Sequence, residues 1–154
     1  MPKKLEIPTQ TNSPAPPAPL PPSSQTAIGR CSISIFPAKC ELTRETDAWG
    51  EMDPYIIYKL KGQSIQTSVI EEGGKTPVFD HKKDTRVFEF PGSFTEKDVM
   101  NIVVMDSDGP LSKDDIVGSS TILFSSILGS KELQKVEVRF SNDNEDVGVI
   151  VFDV

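Results

Sequence analysis

The chain has 154 residues, and 23 acidic against 16 basic side chains give it a net charge of −7 at pH 7. This length suggests one domain, and the acidic balance argues against a general phosphate binder with nucleic acid as its main partner. With one histidine there is no Ser-His-Asp or Cys-His set for nucleophilic catalysis, so a protein that is not an enzyme is expected.

Residues 1–24 hold eight of the thirteen prolines, and no charged side chain occurs from Ile7 to Gly29. Such a stretch lacks the β-branched and aromatic residues that build a core, so residues 1–28 are expected to form an extended or disordered tail. Lys3 and Lys4 precede no apolar run, and Pro2 occupies the second position. Neither a secretory leader nor a myristoylation signal is therefore expected. Within residues 14–22, the spacings Pro14–Pro17, Pro16–Pro19 and Pro19–Pro22 match the PxxP pattern of a polyproline II ligand. These could dock on an SH3- or WW-like module or an assembly partner, although no basic residue flanks them and a linker is the plainer reading.

Residues 29–154 carry 14 basic and 22 acidic side chains, hence −8, and are expected to form the domain. CSISIF (31–36) alternates, YIIYKL (55–60) is β-branched and aromatic, and SIQTSVI (64–70) alternates again. TRVFEF (85–90), VMNIVVM (99–105), VGSSTILF (117–124), VEVRF (136–140) and VGVIVFDV (147–154) are further strand candidates. EEGGKTP, FPGS, DSDGP and SNDNED supply turns between them, and only SSILGSKEL (125–133) suggests a helical turn. Eight short strands at this spacing predict an all-β, antiparallel sandwich. No segment reaches the ~18–20 apolar residues of a membrane-spanning helix. Cys31 and Cys40 are too few for a disulfide framework and read as small buried thiols of an intracellular, cytoplasmic protein.

Two carboxylate clusters interrupt this pattern, Asp47 with Asp53 in DAWGEMDPY, and Asp106, Asp108, Asp114 and Asp115 in DSDGPLSKDDIVG. If loops from different strands meet at one end of the sheet, each close acidic pair repels by roughly 1–4 kcal/mol. A hard cation with six to eight oxygen ligands, such as calcium, relieves that repulsion. Zinc would want histidine or cysteine, and only His81 is at hand. An EF-hand reading fails because Pro110 takes a ligand position, Gly109 comes too early and Val117 stands in place of the bidentate Glu. GGK at 73–75 lacks the remainder of a P-loop.

Three segments in order resemble the C2 domain family over roughly residues 29–154. AKCELTRETDAWGEMDPYIIYKL looks like its first strand, aspartate loop and Asp-Pro-Tyr closure. GGKTPVFDHKKDTRVFEF is similar to its Thr-Pro-Val segment and following Phe-x-Phe strand, and NIVVMDSDGPLSKDDIVGSS to its third loop. The resemblance implies an eight-stranded antiparallel β-sandwich with calcium-binding loops at one end. It also implies ligand positions at Asp47, Asp53, Asp106 and Asp108. For the fifth, Asp115 directly precedes the two hydrophobics and Gly118, whereas Asp114 keeps the family's spacing from Asp106. Asp115 is favoured, and Asp114 remains a rival.

Trp49 lies between the two first-loop aspartates and Leu111 follows Pro110 in the third loop. Apolar tips of this kind suit insertion at a bilayer boundary. Calcium-dependent recruitment to anionic phospholipid membranes is therefore expected, with peripheral association. Lys59, Lys61, Lys75, Lys82, Lys83 and Arg86 match, more loosely, the lysine-rich face that the resemblance implies for lipid headgroups; solvated sheet charges are the plainer reading. The alternative function is a calcium-independent scaffold subunit that docks through its tail.

Overall fold

The alternation of CSISIF starts β1 (Arg30–Leu42), which continues past Pro37. Its first half, Arg30–Ile35, pairs with β4 (Arg86–Pro91), and Phe36–Leu42 pairs with β8 (Glu145–Asp153). The strand changes partner between Ile35 and Phe36, and its register with β8 then slips between Pro37 and Lys39. Proline cannot donate to a ladder, and a bulge is where it is tolerated. This computed structural model describes residues 29–128 and 132–154. The tail of residues 1–28, with the PxxP motifs at 14–22, lies outside the described residues.

β2 (Pro54–Leu60) turns into β3 (Gln63–Gln66) through Lys61 and Gly62, with φ of 47° and 81°. β7 (Lys135–Asn142) turns into β8 through Asp143 and Asn144, with φ of 51° and 68°. Two-residue hairpin turns of this type I′ form need positive φ at both positions, which Asn, Asp and Gly supply most easily. β5 (Val99–Asp106) and β6 (Asp115–Leu123) complete the order β3-β2-β5-β6-β7-β8-β1-β4, antiparallel throughout. β6 meets β7 through one residue pair, Ser119 with Ser141. The strands thus divide into two four-stranded layers, the expected sandwich.

Between the layers lie Ile35, Ile56, Tyr58, Phe88, Ile102, Phe140, Ile150 and Phe152, all essentially inaccessible. Tyr58 packs edge-on against Phe152 at 6.1 Å between centroids, and Phe140 approaches the same ring at 6.4 Å. Each such side chain contributes about 1.5–3 kcal/mol of burial. β5 is the strand that matters most for function. It buries Met100, Ile102, Val104 and then Asp106 in strict alternation, so the same period that fills the core carries a carboxylate inward at its end.

Three local expectations differ from the structure. The strand predicted over 64–70 stops at Gln66, because the Thr67 hydroxyl accepts the Ile56 amide at 2.9 Å in place of a ladder carbonyl. Of the helical turn expected over 125–133, residues 129–131 lie outside the described residues, and the described start forms a 3-10 turn at Phe124–Ser126, closed by the Ile127 and Leu128 amides on the Phe124 carbonyl. A helical turn not expected, α1 (His81–Asp84), is capped by Asp80, whose carboxylate accepts the Lys82 and Lys83 amides at 2.9 and 3.0 Å. Its last residue, Asp84, is fully buried and accepts the Ser68 amide, the Ser68 hydroxyl and the Asp80 amide at 2.7–2.9 Å. That carboxylate holds together the connection that a longer β3 would have occupied. Among the described residues no helix is long and apolar enough to cross a membrane.

Candidate metal centre

Strand register brings the two acidic clusters together. Pro54 on β2 faces Asp106 on β5, and Asp106 faces Asp115 on β6. Adjacent strands lie about 4.8 Å apart, so Asp53, Asp106 and Asp115 sit on three neighbouring strand ends. A bulge contributes to this. Val104 pairs with Gly118 but Met105 with Ile116, so Val117 is the extra residue. Without it, Asp106 would face Ile116.

The loop from Thr43 to Asp53 carries Asp47 to the same place. Met52 anchors it in the core with no exposed surface. The Thr43 amide bonds the Val147 carbonyl at 2.9 Å, and the Ser107 amide bonds the Asp53 carbonyl at 3.1 Å. Carboxylate oxygens of Asp47, Asp106 and Asp108 consequently lie within 4.8 Å of one another. Asp106 is almost fully buried. One of its oxygens accepts the Asp53 amide at 2.7 Å and the other accepts the Thr46 hydroxyl, which orients the carboxylate while leaving lone pairs for a cation.

Asp53 lies outside that tight group of three. Its Oδ1 accepts the Glu72 amide at 2.6 Å, tying it to the 71–76 turn. Asp114 is held by the Tyr55 hydroxyl at 2.6 Å and by the Asp108 amide at 3.3 Å. Asp115 is exposed and accepts no side-chain hydrogen bond among the described residues.

Electrostatics tie these groups together. The Asp47 carboxyl is pushed above its usual value by desolvation first, then by the charges of Asp106, Asp53 and Asp115. Asp108 is raised by desolvation, then by Asp115, Asp106, Asp47 and Asp114. Among the described residues no Lys or Arg forms an ion pair with any of the six aspartates. The donor set is all oxygen. His81 stands apart, against the Phe36 ring at 4.7 Å, and the buried Cys40 thiol is pushed up to about 12, chiefly by desolvation. Hard oxygen donors with unbalanced charge fit calcium and fit zinc poorly.

Trp49 and Leu111 are 93% and 98% exposed, on the two loops that carry Asp47 and Asp108. The basic residues are more scattered than the sequence suggested. Lys61 pairs with Asp98 at 3.1 Å and sits over the Phe94 ring at 5.3 Å. Arg86 donates to the carbonyls of Gln66, Lys83 and Thr85 and approaches Asp84 at 3.7 Å. The Lys75 carbonyl accepts the Leu42 amide at 2.7 Å, which puts Lys75 in the loop region rather than beside Lys82 and Lys83 on α1. Lys59 is exposed on β2. Sequence reading overlooked Thr46 and Tyr55, which look like ordinary loop and strand residues until their carboxylate partners are known.

The sequence matches the C2 domain family over residues 26–139. It is 31% identical over 136 residues to 16 kDa phloem protein 1 of Arabidopsis thaliana, covering 83% of this chain and 84% of that protein. Its fold is similar to a C2 domain of plant extended synaptotagmin 1, with a TM-score of 0.61 and 16% identity over 82% of this chain and 92% of that one. A calcium-bound structure of two C2 domains of extended synaptotagmin 2 gives a TM-score of 0.58 and 21% identity, over 79% of this chain and 44% of that one. Motifs, sandwich and sequence match agree, and the chain belongs to the C2 domain family.

Proposed function

We propose that this protein is a calcium-dependent binding module for anionic phospholipid membranes, cytoplasmic and peripherally associated rather than enzymatic. The observation that carries the reading is the pairing of uncompensated carboxylates with exposed apolar tips, Trp49 and Leu111, on the same loops. Asp47, Asp106 and Asp108 would form the centre of the site, with Asp53 and Asp115 completing it. Among the described residues, Asp53 has its Oδ2 free of hydrogen bonds while Oδ1 holds Glu72. The two hydrogen bonds of Asp114 support Asp115 as the fifth ligand. The calcium-bound extended synaptotagmin structure, on the same fold, supports the choice of cation.

Bound calcium would supply positive charge and open coordination positions for lipid phosphate oxygens. The chain does the rest. Without a cation, the carboxylates repel an anionic surface. Once they are neutralised, Trp49 and Leu111 can enter the headgroup boundary, where indole and aliphatic surface gain from leaving water. Lys82 and Lys83 are exposed on α1 and form no ion pair among the described residues, which leaves them available to a headgroup.

Co-sedimentation with phosphatidylserine vesicles, with and without calcium, tests the reading. Binding only in calcium is expected. Equal binding in chelator would favour the scaffold function, and no binding in either condition would remove the membrane from the proposal.

A further inference from the structure

We infer that Tyr55 is a positioning residue for the third loop, and that Asp114 closes this loop instead of ligating the cation. The inference rests on the metal-site reading above and names the residues that regulate its shape. Tyr55 is buried, with 7% of the residue exposed, and its hydroxyl donates to Asp114 Oδ2 at 2.6 Å. The other Asp114 oxygen accepts the Asp108 amide across the base of the loop at 3.3 Å. One carboxylate therefore links β2, the outgoing end of the loop and the residue that presents the Asp108 side chain.

The arrangement has chemical direction. Tyr55 pairs with Met105 on β5, one step from Asp106, so its ring is fixed by the same ladder that fixes the buried carboxylate. A charged acceptor makes a stronger hydrogen bond with a hydroxyl than a neutral one does. Asp114 thus has one oxygen committed to a rigid strand, while Asp115 next to it is exposed. The loop carries one glycine at positive φ, Gly109 at 77°, and its tip has no core anchor, since Gly109, Pro110, Leu111, Ser112 and Lys113 are all outside the core. The Asp114 hydrogen bonds add to the Asp106–Asp115 pairing and the Ser107–Asp53 backbone bond in holding the loop base.

Two measurements on the full-length protein test this. In metal-free protein, amide exchange at Asp108 should be about tenfold faster in Tyr55→Phe, while strand amides such as Ile102 stay unchanged. By calorimetry, calcium Kd should rise about tenfold in Tyr55→Phe, the size typical of losing an outer hydrogen bond at a metal site. Adding that change to Asp114→Ala should have no further effect, as expected when two residues act through each other. Unchanged exchange and Kd in Tyr55→Phe would overturn the inference. So would loss of calcium in Asp114→Ala as complete as in Asp108→Asn, with Tyr55→Phe unaffected. If the unmodified protein takes up no calcium, the metal site itself fails and the positioning role with it, even if faster exchange in Tyr55→Phe still confirms the loop contact.

Discussion

Asp84 and Asp106 are both buried carboxylates on this sandwich, and their partners give them opposite uses. Asp84 accepts three hydrogen bonds and lies near Arg86, so it holds a connection. Asp106 accepts two and faces like charge, so it is oriented but not neutralised. Desolvation, with that repulsion added, makes a prediction about pH. Asp47 and Asp108 are raised above the ordinary aspartate value of 3.8, so in the window just above it the folded state binds more protons than the unfolded chain. The stability cost is present when both forms are ionised, and it lessens as pH falls through the raised value. In calcium-free protein, Asp108→Asn should therefore raise the melting temperature at neutral pH. It should also reduce the gain on acidifying toward the ordinary aspartate value of 3.8. With calcium the sign reverses, because protons compete for the same oxygens, and acid should weaken binding. Calorimetric melting at neutral and acid pH, with and without calcium, checks this. A lower melting temperature for Asp108→Asn without calcium would show that the carboxylates are not strained.

At the level of elements, irregularities in the ladders control the site more than the strands do. The Val117 bulge turns Asp115 to face Asp106. The exchange of partners after Ile35 lets the far half of β1 pair with β8 and lead into the Asp47 loop. Gly148 sits opposite Leu42 on that stretch, at φ 132°, and a Cβ there would lie 2.3 Å from the Glu41 carbonyl oxygen. Neither backbone conformation nor space admits a side chain. Gly148→Ala should cost about 3 kcal/mol, from strain and overpacking together. It should also weaken calcium binding, since the neighbouring Val147 carbonyl holds Thr43 at the start of the loop. Urea unfolding reads the first effect and calorimetry the second. A change in stability well under about 1 kcal/mol would mean that β1 and β8 can move apart freely.

The whole molecule is an acidic sandwich whose apolar loop tips and carboxylates share one end. Because Trp49 and Leu111 are almost fully exposed, Trp49→Ala and Leu111→Ala should leave unfolding unchanged. Each should nevertheless lower affinity for phosphatidylserine vesicles about tenfold or more, from ~1.5–3 kcal/mol of lost burial. Sedimentation measures this, and undiminished binding by both variants would assign the contact to charge alone. The eight strand segments, the β7–β8 turn in SNDNED and the acidic residues available for a site were legible in the chain, because alternation and turn chemistry act over a few neighbouring residues. CSISIF and VMNIVVM show it directly. The one-turn helix at His81–Asp84 and the early end of β3 were not, because each depends on a side chain, Asp84 or Thr67, meeting a partner from elsewhere in the fold. The same holds for the site. The sequence by itself identified the carboxylates, the oxygen chemistry and the apolar tips. Only the tertiary structure decided that Asp47, Asp106 and Asp108 converge, that Asp114 is tied to Tyr55, and that Lys61 and Arg86 are engaged in contacts of their own. Distances between residues about sixty positions apart follow from strand register and one bulge, and neither is written in any local pattern.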